Sequence, residues 1–90
     1  MPAFEWDEAK RAANLAKHGL DFKLGEELFD GRKTLTLSSP RGDELRFTTV
    51  GAVDGRCLTL IWTWRGDVIR MISLRRARDG EERAHHAHDV

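Results

Sequence analysis

Residues 44–75, ELRFTTVGAVDGRCLTLIWTWRGDVIRMISLR, decide the fold. Asp54-Gly55 inside them is a two-residue hairpin turn, because both central positions of such a turn favour positive φ. Arg65-Gly66-Asp67 marks a second tight turn. The segments between must therefore be antiparallel neighbours. In residues 44–53, Leu45, Phe47 and Val53 share one face, as in a half-buried strand. In residues 56–64, Leu58, Leu60 and Trp62 alternate with Cys57, Thr59, Ile61 and Thr63, and two largely apolar faces place this strand centrally. Residues 68–75 form the next strand.

Working back from the sheet, residues 34–37 (TLTL) read as a short strand ended by Ser38, Ser39 and Pro40, with Gly42 completing a loop. Residues 21–30 place Phe22, Leu24, Leu28 and Phe29 at mostly helical spacing, with Asp21 as cap and Gly31 as stop. Residues 6–19, WDEAKRAANLAKHG, form the clearest helix, with Asp7 at the N-cap, Glu8 at the positive end of the dipole and Gly19 as the stop. At about 100° per residue, Ala9, Ala12, Ala13 and Ala16 gather on one side and are expected to pack inward. Lys10, Asn14, Lys17 and His18 gather on the other and are expected to face out. Residues 79–88 are rich in Glu, Arg and Ala and predict a closing helix. The expected fold is α+β: two N-terminal helices, a four-stranded antiparallel sheet built as a meander, and a C-terminal helix, with helices over one face.

Ninety residues suit a single domain spanning 1–90. One cysteine, Cys57, excludes an internal disulfide and reads as an apolar filler within its strand. With no basic, apolar leader, the chain is expected in the cytoplasm. The longest apolar run, residues 58–64, is far below the roughly 20 residues that cross a bilayer, so no membrane partner is expected. Net charge is zero, which argues against indiscriminate nucleic-acid binding. The charges are unevenly spread, however: residues 56–78 hold six Arg against one acid, Asp67, a surplus of five. An all-Arg patch suits phosphate, which the planar guanidinium grips through two hydrogen bonds.

Phe4, Trp6-Asp7, Lys10, Asn14, Lys17-His18-Gly19, Phe22 and Phe29-Asp30 form the first half of a wider pattern. Gly42-Asp43-Glu44, Arg46, Gly51, Asp54-Gly55-Arg56, Trp64-Arg65-Gly66, Ile72-Ser73, Arg75-Arg76-Ala77 and Glu81 continue it. In this order and spacing the chain resembles the BrnT toxins of bacterial type II toxin–antitoxin systems. The resemblance implies a RelE-like fold, a metal-independent ribonuclease that inhibits translation, and a cognate antitoxin with a ribbon-helix-helix DNA-binding part. It further implies a toxin–antitoxin heterotetramer that represses its own operon by holding operator DNA through the antitoxin. The family's last helix usually carries a Tyr where this chain has His85, and the chain has no Tyr. The resemblance thus puts His85 in that residue's catalytic place.

Such a nuclease uses the 2′-hydroxyl to attack phosphorus and needs a base, an acid and cations on the developing phosphorane oxygens. His18 is the candidate base or acid, since imidazole exchanges protons near neutral pH; the alternative is a helix-terminal His that merely complements the dipole. Lys17 and Lys10 can hold phosphate or be solvated surface. Arg65, at a turn, and Arg75, near a strand end, are candidate phosphate clamps, or pair with the chain's acids. Asn14, Arg46, Arg76 and Trp64 complete the expected RNA-binding set, with Trp64 offering a face for base stacking and Trp62 belonging to the core. Glu44 and Glu81 are expected to orient Arg side chains. His85, His86, His88 and Asp89 invite a metal, but a chain terminus is a poor scaffold, and no metal or cofactor is expected. The competing function is a non-catalytic nucleic-acid and antitoxin-binding module acting as co-repressor.

Overall fold

The computed structural model describes residues 3–89, with side chains through residue 87. Five strands, β1 (Ala3–Glu5), β2 (Thr34–Arg41), β3 (Glu44–Val53), β4 (Arg56–Arg65) and β5 (Val68–Arg76), form one sheet in the order β1-β5-β4-β3-β2. Helix α1 (Glu8–His18), a 3-10 helix (Phe22–Phe29) and helix α2 (Asp79–Asp89) complete the chain. None of these helices is long and apolar enough to cross a membrane.

The antiparallel meander from β2 to β5 stands as the turns require. Asp54 and Gly55 both adopt positive φ, 52° and 77°, and Gly42 and Gly66 open two further two-residue turns at 62° and 61°. Four antiparallel strands are nevertheless an undercount. β1 pairs parallel with β5 through Ala3↔Val68, Phe4↔Ile69 and Glu5↔Arg70, which makes the sheet mixed. Three residues carry too little periodicity to be read as a strand; the tertiary pairing makes them one. The second expected helix is a tight 3-10 helix, and β2 runs on through Pro40 to Arg41. Pro40 is tolerated because β2 is an edge strand.

One face of the sheet carries the core: Leu58, Leu60 and Trp62 of β4 and Ile69, Met71 and Leu74 of β5 pack with Leu20, Phe22 and Leu28. Burying each such side chain contributes about 1.5–3 kcal/mol. Gly25 lies within the 3-10 helix where it passes close to the sheet, and an added Cβ there would sit 3.3 Å from Leu60 Cδ1. Along each strand the alternate residues face away, and there Val50 and Thr59 are buried beneath α2. Helices therefore cover both faces, contrary to the single covered face expected from sequence.

Helix α1 is turned the other way from expectation. Ala9, Ala12, Ala13 and Ala16 are exposed, whereas Asn14 is 7% exposed. The cause is the short β1, which leaves the edge of β5 open beyond Arg70. Asn14 closes it: its carboxamide Oδ1 accepts from Leu74 N–H at 3.0 Å, and Nδ2 donates to Leu74 C=O at 2.8 Å and to Leu20 C=O at 2.9 Å. One side chain thus satisfies backbone groups that a strand would otherwise pair. Arg11 fixes the far side of α1, with Nε and Nη2 on the two Asp21 oxygens at 2.8 and 2.9 Å. That pairing, with help from Lys23 N–H, holds the Asp21 carboxyl at about 2.

Candidate nucleic-acid interface

The turned helix brings part of the polar stripe against β5. Lys10, Asn14, Lys17 and His18 line a shallow groove with Ile72 and Ser73, and among the described residues no acidic side chain lines it. Helix α1 ends at His18 because Gly19 adopts φ 69° and returns its N–H to Leu15 C=O, so the imidazole projects from a fixed helix terminus. Among the described residues, no hydrogen bond or ion pair engages the Lys10, Lys17 or His18 side chains. They are cationic or proton-exchanging groups left available. Asn14 lies at the floor with its amide donors committed to backbone, so its place is structural and not on an RNA backbone.

The Arg candidates differ from this. Arg75 closes its fork on Glu81, Nη1 to Oε1 at 2.7 Å and Nη2 to Oε2 at 2.9 Å, which commits both terminal nitrogens to a carboxylate. Glu81 also accepts from Thr59 Oγ1 and from Arg78 N–H, the latter starting α2 in the manner of a capping box. Hydrogen bonding to Arg75, then to Arg78 N–H and Thr59, holds the Glu81 carboxyl at about 2 against an ordinary value of 4.5. A depressed folded value adds stability that is complete above the ordinary value and is lost as pH falls toward 2. Wild type is therefore expected to exceed Glu81→Gln by about 1–2 kcal/mol at pH 7 in urea unfolding, after allowance for solvent screening. That margin should close between about pH 4.5 and pH 2; a margin flat across this window would detach Glu81 from the fold's acid sensitivity.

Glu44 occupies the same position for two other bases, accepting from Arg46 Nε at 3.1 Å and pairing with Arg65 Nη2 at 3.1 Å. Glu44 and Glu81 thus orient Arg side chains as their sequence context suggests. Arg65 remains 56% exposed, and Arg76 is exposed. Trp62 is in the core, while Trp64 is 46% exposed, as alternation with a fading cover predicts. Trp64 stands with Arg65, Glu44 and Leu45 in a second concavity, where Arg41 and Asp43 also sit. Arg41 was not singled out by sequence; its position directly before the Gly42 turn is the signal that marks it. Ser73 belongs to the quoted family pattern, and only the α1 contact shows what it lines.

His85 does not present its ring to this surface. It is 6% exposed, with Nε2 3.4 Å from Lys33 C=O and Nδ1 buried without a partner. The expected substitute for the family Tyr is thus packed beneath α2, because α2 covers the second face of the sheet. Burial, with Glu82 and Glu81 nearby, pushes the Cys57 thiol up and keeps it protonated. Among the described residues no group of three His, Cys, Asp or Glu side chains is placed to hold a metal. The pairing of His85 with His88 falls outside the described side chains. The candidates therefore divide among three places: the α1–β5 groove, the turn end around Trp64, and the Arg75–Glu81 pair under α2.

A small α+β domain with an acid-free cationic groove fits a protein that handles RNA. The family model described as "Ribonuclease toxin, BrnT, of type II toxin-antitoxin system" matches residues 6–81. The chain belongs to the BrnT toxin family. Membership makes it a type II toxin–antitoxin system toxin of a ribonuclease class, and implies an RNA substrate and an antitoxin partner. No curated protein matches the chain.

Proposed function

We propose that this chain is a metal-independent endoribonuclease acting at the α1–β5 groove. The observation that carries the reading is that Lys10, Lys17 and His18 share a groove that no acidic side chain among the described residues lines, whereas Arg65 and Arg75 are each held by a carboxylate. Lys17 and Lys10 hold the scissile phosphate and stabilise the phosphorane oxygens. His18 removes the 2′-hydroxyl proton or returns one to the leaving 5′-oxygen. Ser73, which lines the same groove, donates its hydroxyl to a non-bridging oxygen in this reading. Arg46, Arg76 and Trp64 extend the RNA contact beyond the cut. In the cell the cleavage inhibits translation, and a cognate ribbon-helix-helix antitoxin neutralises it in a heterotetramer that represses the operon. A RelE-like ancestry is part of the same reading.

Incubating the purified chain with total RNA in EDTA tests this. The expected result is fragments ending in 2′,3′-cyclic phosphate, since the attacking oxygen comes from the RNA itself. RNA left intact at high protein concentration overturns it. Intact RNA would favour the co-repressor reading, for which the specific observation is His85, buried at the position where the family carries Tyr.

A further inference from the structure

The concavity around Trp64, about 640 Å³ against about 200 Å³ for the His18 groove, has no chemical step assigned to it. It lies where the Gly42-Asp43 and Gly66-Asp67 turns end the sheet. Its aromatic wall is rigid. Trp64 meets Trp62 edge to face at 5.3 Å and 82°, Trp62 stacks on Phe47 at 4.6 Å and 21°, and Phe29 braces Trp62 at 5.2 Å. Trp62 Nε1 donates to Thr49 Oγ1 at 2.8 Å, which locks the buried ring that supports the exposed one. A half-exposed indole held this way offers a stacking surface that needs little ordering on binding.

The polar rim is mixed. Glu44 is committed to Arg46 and Arg65. The Asp43 and Arg41 side chains, by contrast, are exposed and have no hydrogen bond or ion pair among the described residues. An uncommitted carboxylate beside uncommitted guanidinium does not suit a bare anion, which the carboxylate would repel. It suits a ligand with an apolar planar face, N–H donors along one edge and a phosphate attached: a nucleotide. Among RNA bases, guanine alone presents two adjacent donors, N1–H and the 2-amino group, matching the two oxygens of a carboxylate. Adenine and cytosine set a lone pair beside their amino group, and uracil flanks its single N–H with carbonyls, so each opposes one carboxylate oxygen.

We propose that this concavity is a guanine-reading subsite, in which the base stacks on Trp64, its Watson–Crick edge donates to Asp43, and Arg41 holds the adjoining phosphate. The proposal rests on the nuclease reading for RNA as the ligand. Val68 to Ser73 along β5 separates the turn end from the His18 groove by about 17 Å. The base read is therefore a few nucleotides from the bond cut, and a preference shows as an enriched guanine at a fixed offset.

Binding to 2′-O-methyl hexanucleotides, which lack the attacking hydroxyl, tests the subsite separately from cleavage. Uridine strands carrying one central guanosine, inosine or adenosine are titrated against the full chain. Guanosine is expected to bind about tenfold tighter than adenosine, with inosine, which keeps only one donor, in between. Asp43→Asn should reduce the preference to about twofold or less, and Trp64→Ala should weaken all three strands about tenfold. Both positions are exposed, and an unchanged melting curve verifies that the variants fold. Equal affinity for guanosine and adenosine in wild type overturns the subsite, as does a preference untouched by Asp43→Asn. If Trp64→Ala loosens the antitoxin while leaving every oligonucleotide unchanged, the concavity is a protein-binding surface and the proposal fails. His18→Ala separates the two claims: it should slow cleavage by about 10²–10⁴ and keep the guanosine preference.

Discussion

His18→Ala is expected to slow RNA cleavage by a factor of about 10²–10⁴, the usual contribution of a general acid or base. The loss should come without a change in fold, because His18 is half-buried at the end of α1 and no described residue bonds to its ring. Removal of the side chain leaves the Gly19 stop and the Asp7 cap in place. Lys17→Ala and Lys10→Ala should each cost less, about tenfold, since two cations share the phosphate and either one partly covers for the other. The measurement is single-turnover cleavage of a labelled RNA beside thermal melts of each variant. A folded His18→Ala protein that cuts at the wild-type rate would remove His18 from the chemistry. Expression of the same variant should also release cells from growth arrest.

The second large effect concerns stability. Asn14→Ala removes three hydrogen bonds and leaves Leu74 N–H, Leu74 C=O and Leu20 C=O without their partner. At about 1–3 kcal/mol for each unsatisfied buried group, with partial relief by water, the loss should be about 3–5 kcal/mol. That is a large share of the roughly 5–15 kcal/mol that a domain has in total. Asn14→Asp sharpens the test. Its carboxylate still accepts from Leu74 N–H but faces two carbonyl oxygens, so the folded state binds a proton more tightly than the unfolded state does. The deficit should be greatest at neutral pH and ease as pH falls, because this carboxyl's folded value is raised where that of Glu81 is lowered. Urea unfolding across pH measures both. A cost under about 1 kcal/mol for Asn14→Ala would show that the edge of β5 does not depend on this amide.

The meander was legible because its turns are chemical statements: Asp54-Gly55 and the Gly66 turn require antiparallel neighbours whatever the flanking residues do. β1 was not, because Ala3–Glu5 becomes a strand only through residues 65 positions away. The orientation of α1 was misread for a related reason. An alanine stripe looks like a packing face, but the sheet edge beneath it needed hydrogen bonds, and only the polar side carried a group that donates and accepts. Asn14 in a helix interior, where it is a poor helix former, was the available clue. The pairing of Arg with Glu was open at sequence level because register selects the partners: Arg65 reaches Glu44 across the turn end, and Arg75 meets Glu81 only once α2 has folded back. The His18 groove was half legible, since the stripe was visible and its β5 wall was not.

The groove that joins α1 to β5 also sets a schedule. Lys10, Lys17 and His18 are made more than fifty residues before Ile72 and Ser73. Neither β1 nor Asn14 can dock on β5 until β5 exists, and the contacts that assemble this surface span 60 or more residues of chain, so they carry a high closure cost. A growing chain therefore carries its histidine and lysines unassembled for more than fifty further residues of synthesis. The complete surface exists only in a chain that has reached β5, so a fragment ending before residue 72 would carry the histidine and both lysines without the wall they face.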